Sequence, residues 1–230
     1  CNNTCTVVIT TFFAGDKLEN CIKNIPHIFK ILIIDNGGEK NKKIYFENKF
    51  PNLTYFVSNE NLGVPRSYSL AHKMVKTKYM FNTQPDVIIK EKCIENLLEK
   101  ASLYNNFAIL SPTIFHNKTY FIDGDYKQLK IINNKYVDSF KINSHPSNKN
   151  PPDGDISVEA VTGTAMLINR EKLKLIDDWD KNRWNSNEDI EMWLRLRVKG
   201  CEIIKIREAE VDKNNFYSKD KSNKKEVDIS

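Results

Sequence analysis

The chain has 230 residues, with 35 Lys and Arg against 30 Asp and Glu, a formal net charge of +5, 40% hydrophobic residues and 28% charged ones. That is enough chain for one domain with a substantial core, and its apolar content excludes a disordered polymer. No run reaches the roughly 18 apolar residues of a membrane span, and neither zinc-finger spacing nor an RNP-like aromatic motif is present, so nucleic acid is not an expected partner.

The first predicted element is TVVITTFF, residues 6–13, a continuous β-branched run of the kind buried on both faces of a sheet. Residues 16–25 carry Leu18, Cys21, Ile22 and Ile25 at helical spacing, with Asp16 as the expected N-cap and Pro26 as the stop. KILIIDNGG is a second buried strand ending in a turn, LTYFVSN a third, and residues 65–75 suit a helix. KYMFNTQPDVII reads as a fourth strand running out at Pro85 and Asp86, followed by a helix over 91–103 and the strand FAILSPTIF. Such alternation predicts an α/β fold with a mostly parallel central sheet flanked by helices.

From about residue 116 to 155 the rhythm breaks into a short antiparallel excursion and a loop rich in Pro, Asn and Asp, SHPSNKNPPDGD, expected to be mobile. VEAVTGTAMLINR then reads as one strand, residues 170–176 as a helix, and 187–199 as the clearest later helix, with Gly200 as its stop. CEIIKIREAEV is the last predicted strand. The polar tail, 213–230, is expected to be flexible. The domain is thus expected over 1–212, with a nucleotide-binding half of about 1–115 and an acceptor half of about 116–212.

Five cysteines show no CxxC pair and no disulfide framework. With an opening that lacks the basic segment and apolar core of a secretory signal, this favours reduced, cytoplasmic surroundings. The charge excess is spread among acidic residues, apart from the late run 219–225, and reads as a solvated face.

In open parallel sheets ligands bind beyond the carboxyl ends of the strands. Polar residues stand at each of those ends: Thr10 and Thr11, Asp35 and Asn36, Asn59 and Asn61, Gln84 and Asp86. The ordered set VVITTFF, LIIDNGG, NENLGVP, NTQPDV, VTGTAML and NEDIEMWLRLRVKG resembles the glycosyltransferase family 2 domain, of the GT-A fold, with a flavour of its rhamnosyltransferase-like members. The resemblance spans roughly residues 5 to 207. It implies an inverting enzyme that moves a sugar from a UDP- or dTDP-linked donor to a hydroxyl of a saccharide or lipid-linked acceptor.

On that resemblance, Thr10 approaches the base or ribose of the donor and Asp35 hydrogen-bonds the nucleobase; the bland alternative for Asp35 is a turn-forming Asp before Asn-Gly. Gly63 allows close approach of backbone to donor. Tyr68 and Ser69 stand where many members carry Arg-Asn, which leaves Arg66, two residues ahead, as the candidate to offset diphosphate charge. Gln84 and Asp86 occupy the Asp-x-Asp metal position, so Asp86 is the expected ligand of Mg2+ or Mn2+, with Asp212 as a further candidate if it is not simply an exposed loop residue. Asp189 is implied as the base that deprotonates the acceptor, flanked by Glu188, although acidic residues in a first helical turn also suit the helix dipole. Gly163 lies in the predicted strand flooring the acceptor pocket, where it admits a sugar ring or merely eases packing. Trp179 and Trp184 offer stacking surfaces or core packing. A sugar-1-phosphate nucleotidyltransferase would need a Gly-rich loop after strand one, where TTFFAGDKLE has only Gly15. A catalytically silent nucleotide-sugar binding module is the other alternative. Peripheral contact of the Lys-rich tail with the inner face of a membrane suits a lipid-linked acceptor.

Overall fold

The computed structural model describes residues 4–125, 131–132, 135–136, 143–147, 150–180 and 188–213. Strand β1 (Cys5–Thr11) is buried along both faces, as its unbroken apolar run requires: Cys5, Val7 and Ile9 enter one core and Val8 the other. Helix α1 (Asp16–Lys23) buries Leu18, Cys21 and Ile22. The expected cap at Asp16 is corrected: Gly15, at φ +60°, precedes the helix, and Asp16 lies in its first turn, where negative charge suits the dipole. Between β2 (Lys30–Asp35) and β3 (Leu53–Val57) stands α2 (Lys40–Lys49), absent from the sequence reading because Phe46 is its one buried residue and no apolar stripe exists to be seen.

Helix α3 (Gly63–Met74) leads to β4 (Tyr79–Thr83). The single strand expected over 78–89 is two, because the chain turns at Pro85, with the Val87 amide donating to Gln84 O at 3.2 Å, and resumes as β5 (Val87–Ile89) in a different pairing. After α4 (Cys93–Leu103) and β6 (Phe107–His116) comes the antiparallel excursion: β7 (Thr119–Asp125) pairs with β6 and with β10 (Asn143–Pro146), while β8 (Ile131–Ile132) and β9 (Lys135–Tyr136) pair with each other. The strand expected over 158–170 is likewise divided into β11 (Ile156–Val158) and β12 (Ala165–Asn169), with a turn at Gly163 between them. A short α5 (Arg170–Leu173), a 3-10 turn, α6 (Glu188–Val198) and β13 (Glu202–Lys213) complete the order. Gly200, at φ +78°, ends α6 through its amide on Arg197 O and that of Cys201 on Leu196 O.

The sheet is parallel through β3-β2-β1-β4, then β12 enters in reverse between β4 and β6. β13 runs parallel to β6 and antiparallel to β5 and β11. One face is covered by α1, α2 and α4 and the other by α3, α5 and α6, the latter around the fully buried Trp193. Among the described residues, Cys5, Cys21, Cys93 and Cys201 are buried free thiols, and burial pushes those of Cys5 and Cys21 up to about 12. No helix of the described residues is long and apolar enough to cross a membrane. The predicted tail begins one residue too early, since Lys213 still belongs to β13; residues 214–230 lie outside the described ones.

Candidate active site

β1 and β4 are parallel neighbours, so the segments that follow them leave the sheet at one edge. β12 runs the other way with Ala165 opposite Thr83, which brings the turn before it to the same edge; there the Thr83 hydroxyl donates to Thr164 O at 3.3 Å. These three segments, α1, α3 and the first turn of α6 enclose a cleft of about 700 Å³. Thr10, Phe12, Phe13, Lys17, Val64, Tyr68, Gln84, Asp86, Thr162, Gly163 and Asp189 line it. The volume suits a ligand of nucleotide-sugar size.

Asp189 is held at the first turn of α6 by two amides. Gly163 N–H donates to its Oδ2 at 2.7 Å and Ile190 N–H to its Oδ1 at 2.8 Å. Burial pushes its pKa above the ordinary carboxylate range, against the lowering effect of those two bonds. Gly163 earns its place through the carboxylate, since a Cβ there would lie 3.3 Å from Asp189 Oδ2. It sits in the turn ahead of β12, not in a strand, and its amide is committed to Asp189.

The remaining expected residues are less uniform. Asp35 is 0% exposed and does not line the cleft: Oδ1 accepts the Gly37 amide at 2.8 Å and Oδ2 the Glu39 amide at 2.9 Å. These contacts support the turn reading of Asp35, because an Asp before Asn-Gly closes on its own backbone and here also receives the chain entering α2. Gly63 begins α3 at φ +67° and is placed by the Asn61 side chain, which accepts its amide; its neighbour Val64, not Gly63, lines the cleft. Arg66 is turned onto its own loop, donating to Leu62 O and Asn61 O and facing Glu60 at 3.5 Å, outside the cleft lining. Trp179 is core, 4.9 Å from the Tyr68 ring and 6.2 Å from that of Trp193. Trp184 lies outside the described residues, and Glu188 is placed only as the first residue of α6.

Phe12, Phe13 and Lys17 line the cleft without having been expected there. Phe12 and Phe13 are 56% and 61% exposed, with ring centroids 4.6 Å apart, and Phe13 holds the left-handed backbone at φ 49°. Their signal was available, since they directly follow β1 at the ligand-binding rim. Lys17 carries no such signal beyond its helix, whereas Tyr68 was marked by its place in the segment where many family members carry Arg-Asn.

A cation between paired carboxylates needs a second anionic oxygen beside Asp86. Instead, Gln84 Oε1 accepts from Lys213 Nζ, and the same ammonium lies 3.9 Å from Asp86 Oδ2. Asp212 is not the exposed loop residue allowed for above. It is buried in β13, its carboxylate accepting the Lys118 amide at 3.2 and 3.4 Å. Among the described residues no group of three or more His, Cys, Asp or Glu side chains is placed to hold a metal ion. The residues around Asp86 therefore do not fit a divalent cation held by paired carboxylates.

An α/β sheet with such a cleft at its carboxyl rim, walled by a half-buried carboxylate, is the arrangement in which α/β enzymes bind their ligands. Residues 6–176 match the family described as glycosyl transferase family 2, and the chain belongs to that family. The match ends ahead of α6 and Asp189. Among solved structures, that of GalNAc-T7 with UDP, GalNAc and Mn2+ is similar at a TM-score of 0.72 and 14% identity, over 92% of this chain and 44% of that one. The likeness is one of fold, and this chain spans less than half the length of that protein. No curated protein matches the chain.

Proposed function

We propose that this glycosyltransferase moves a hexosyl or rhamnosyl unit from a UDP- or dTDP-linked donor to a hydroxyl of a saccharide or lipid-linked acceptor, inverting the anomeric centre, with Asp189 as base. The observation that carries this reading is the presence of Asp189 in the same cleft as Thr10, Gln84 and Asp86. The nucleoside lies along Thr10 and the exposed rings of Phe12 and Phe13, which offer an aromatic surface to a base. The diphosphate faces Gln84, Asp86 and Lys17. The acceptor enters along Thr162–Thr164, with Glu188 and Trp184 as its further contacts.

Asp189 takes the proton of the acceptor hydroxyl while that oxygen bonds to the anomeric carbon. The bond from that carbon to the nucleoside diphosphate breaks in the same step. Each Asp189 oxygen accepts one amide and keeps a lone pair for this task, and a raised pKa makes the carboxylate a stronger base than a solvated Asp. A single displacement needs one such group, where retaining hydrolases need two about 5 Å apart. Polysaccharide assembly at the cytoplasmic face of a membrane, with the Lys-rich run 219–225 against anionic lipid, accords with a lipid-linked acceptor.

Asp189→Asn is expected to lower transfer by roughly 100-fold or more, the usual contribution of a positioned base, with UDP affinity within about twofold of wild type. Product formation and titration calorimetry measure the two. Undiminished transfer would remove Asp189 from the role. A silent module of the same fold would bind nucleotide and yield no glycoside from any donor and acceptor pair.

A further inference from the structure

We infer that the ammonium of Lys213 neutralises the donor diphosphate at the position where a paired-carboxylate site holds a divalent cation, so that donor binding by this chain needs no metal. The inference rests on the nucleotide-sugar reading above. Its starting point is topology. Lys213 is the last residue of β13 and is paired with Val87, the first residue of β5, which places it beside Asp86, one residue upstream. Its Nζ donates to Gln84 Oε1 and lies 3.9 Å from Asp86 Oδ2; those two residues line the cleft, and Lys213, itself outside the lining, reaches it through the partly exposed ammonium beside them. The ammonium therefore occupies the space between the two side chains that the metal motif would have used.

Charge supports the substitution. Two carboxylates and a dication sum to zero, and so do one carboxylate, one amide and one ammonium. Gln84 in place of an acid and Lys213 in place of a cation are two halves of one change: an ammonium beside the metal position would repel a metal, and the amide that replaces the acid accepts a hydrogen bond from that ammonium. Among the described residues the nearest candidate for a second carboxylate, Asp212, is buried in β13 with its oxygens on the Lys118 amide. An ammonium has three donors. One is given to Gln84, which leaves donors for the phosphate oxygens. As the bond to the anomeric carbon breaks, negative charge grows on the leaving diphosphate, and Lys213 stabilises it without giving up a proton.

The test is titration calorimetry of UDP, dTDP, GDP and CDP into wild type, Lys213→Ala, Lys213→Arg and Gln84→Asp, each in EDTA and in Mg2+ or Mn2+. Wild type is expected to bind its preferred nucleotide equally well, within about threefold, in both buffers. Lys213→Ala should lose roughly tenfold or more in EDTA, as loss of a charge-assisted hydrogen bond does, and Lys213→Arg should keep most of the affinity. Gln84→Asp should bind better with metal than without. Wild-type affinity that rises tenfold on adding metal overturns the inference and leaves the nucleotide-sugar reading standing, as does Lys213→Ala that binds like wild type in EDTA. If Lys213→Ala does not fold, the wild-type metal comparison and Lys213→Arg decide. No binding of any of the four nucleotides in either buffer overturns the nucleotide-sugar reading and this inference with it.

Discussion

As the proposed base, Asp189 is asked for opposite protonation states by catalysis and by stability. Catalysis needs the ionised form, so kcat/KM should rise with pH along a limb whose midpoint lies above the ordinary carboxylate range; a limb at the ordinary Asp position, unchanged in Asp189→Asn, would contradict the assignment. Stability has the other sign. The native pKa is raised, so the folded state holds this proton more tightly than the unfolded chain, and stability present at lower pH is withdrawn as pH rises through the native value. Asp35 makes a contrasting case. Its Asn-Gly context is compatible with both a ligand contact and a turn, and what supports the turn is a carboxylate with no exposed surface and two backbone donors on it. Asp35→Ala orphans both amides at about 1–3 kcal/mol each. At roughly 2–4 °C per kcal/mol for a domain of this size, Tm should fall by several degrees with nucleotide affinity preserved. A large loss of affinity at unchanged Tm would restore the nucleobase role.

Among the elements, α6 ties the second core to the cleft. Trp193 is fully buried, and its indole N–H donates to Val161 O, one residue before the Thr162–Gly163 wall that holds Asp189. Trp193→Phe keeps most of the apolar volume but strands that carbonyl, and should cost about 1–3 kcal/mol. It should also lower kcat more than it weakens UDP binding, because the proposed acceptor lies along that wall; calorimetry and steady-state kinetics distinguish this from a uniform loss. Elements with a clear period were legible: β1, α1, β2, β3, α3, α4 and β6 fall where their apolar patterns put them. Helix α2 was not, since a helix touching the core through Phe46 alone leaves no pattern to read. The runs 78–89 and 158–170 looked continuous because hydropathy does not register a change of pairing partner. Pro85 in one and Gly163 in the other were the only local hints.

For the molecule as a whole, the cleft is a product of strand order. Thr10, Gln84 and Asp86 could be anticipated at one rim from the parallel repeat alone. Gly163 arrives there because β12 is reversed, and Lys213 because β13 returns beside β5, neither of which any short stretch of sequence records. The same architecture gives the protein a built-in reporter. Beneath the cleft, Cys21 of α1 lies with its thiol on the carbonyl of Gln84, at 3.6 Å, fully enclosed and held protonated by burial. A maleimide can reach that sulfur only after the Gln84–Asp86 segment has lifted away from α1, so its rate of labelling, followed by peptide mass spectrometry, counts those openings one by one. UDP should slow the labelling of Cys21 and leave that of Cys201, across the sheet, unaltered; equal protection of both would mean that the breathing of this site is inseparable from that of the entire domain.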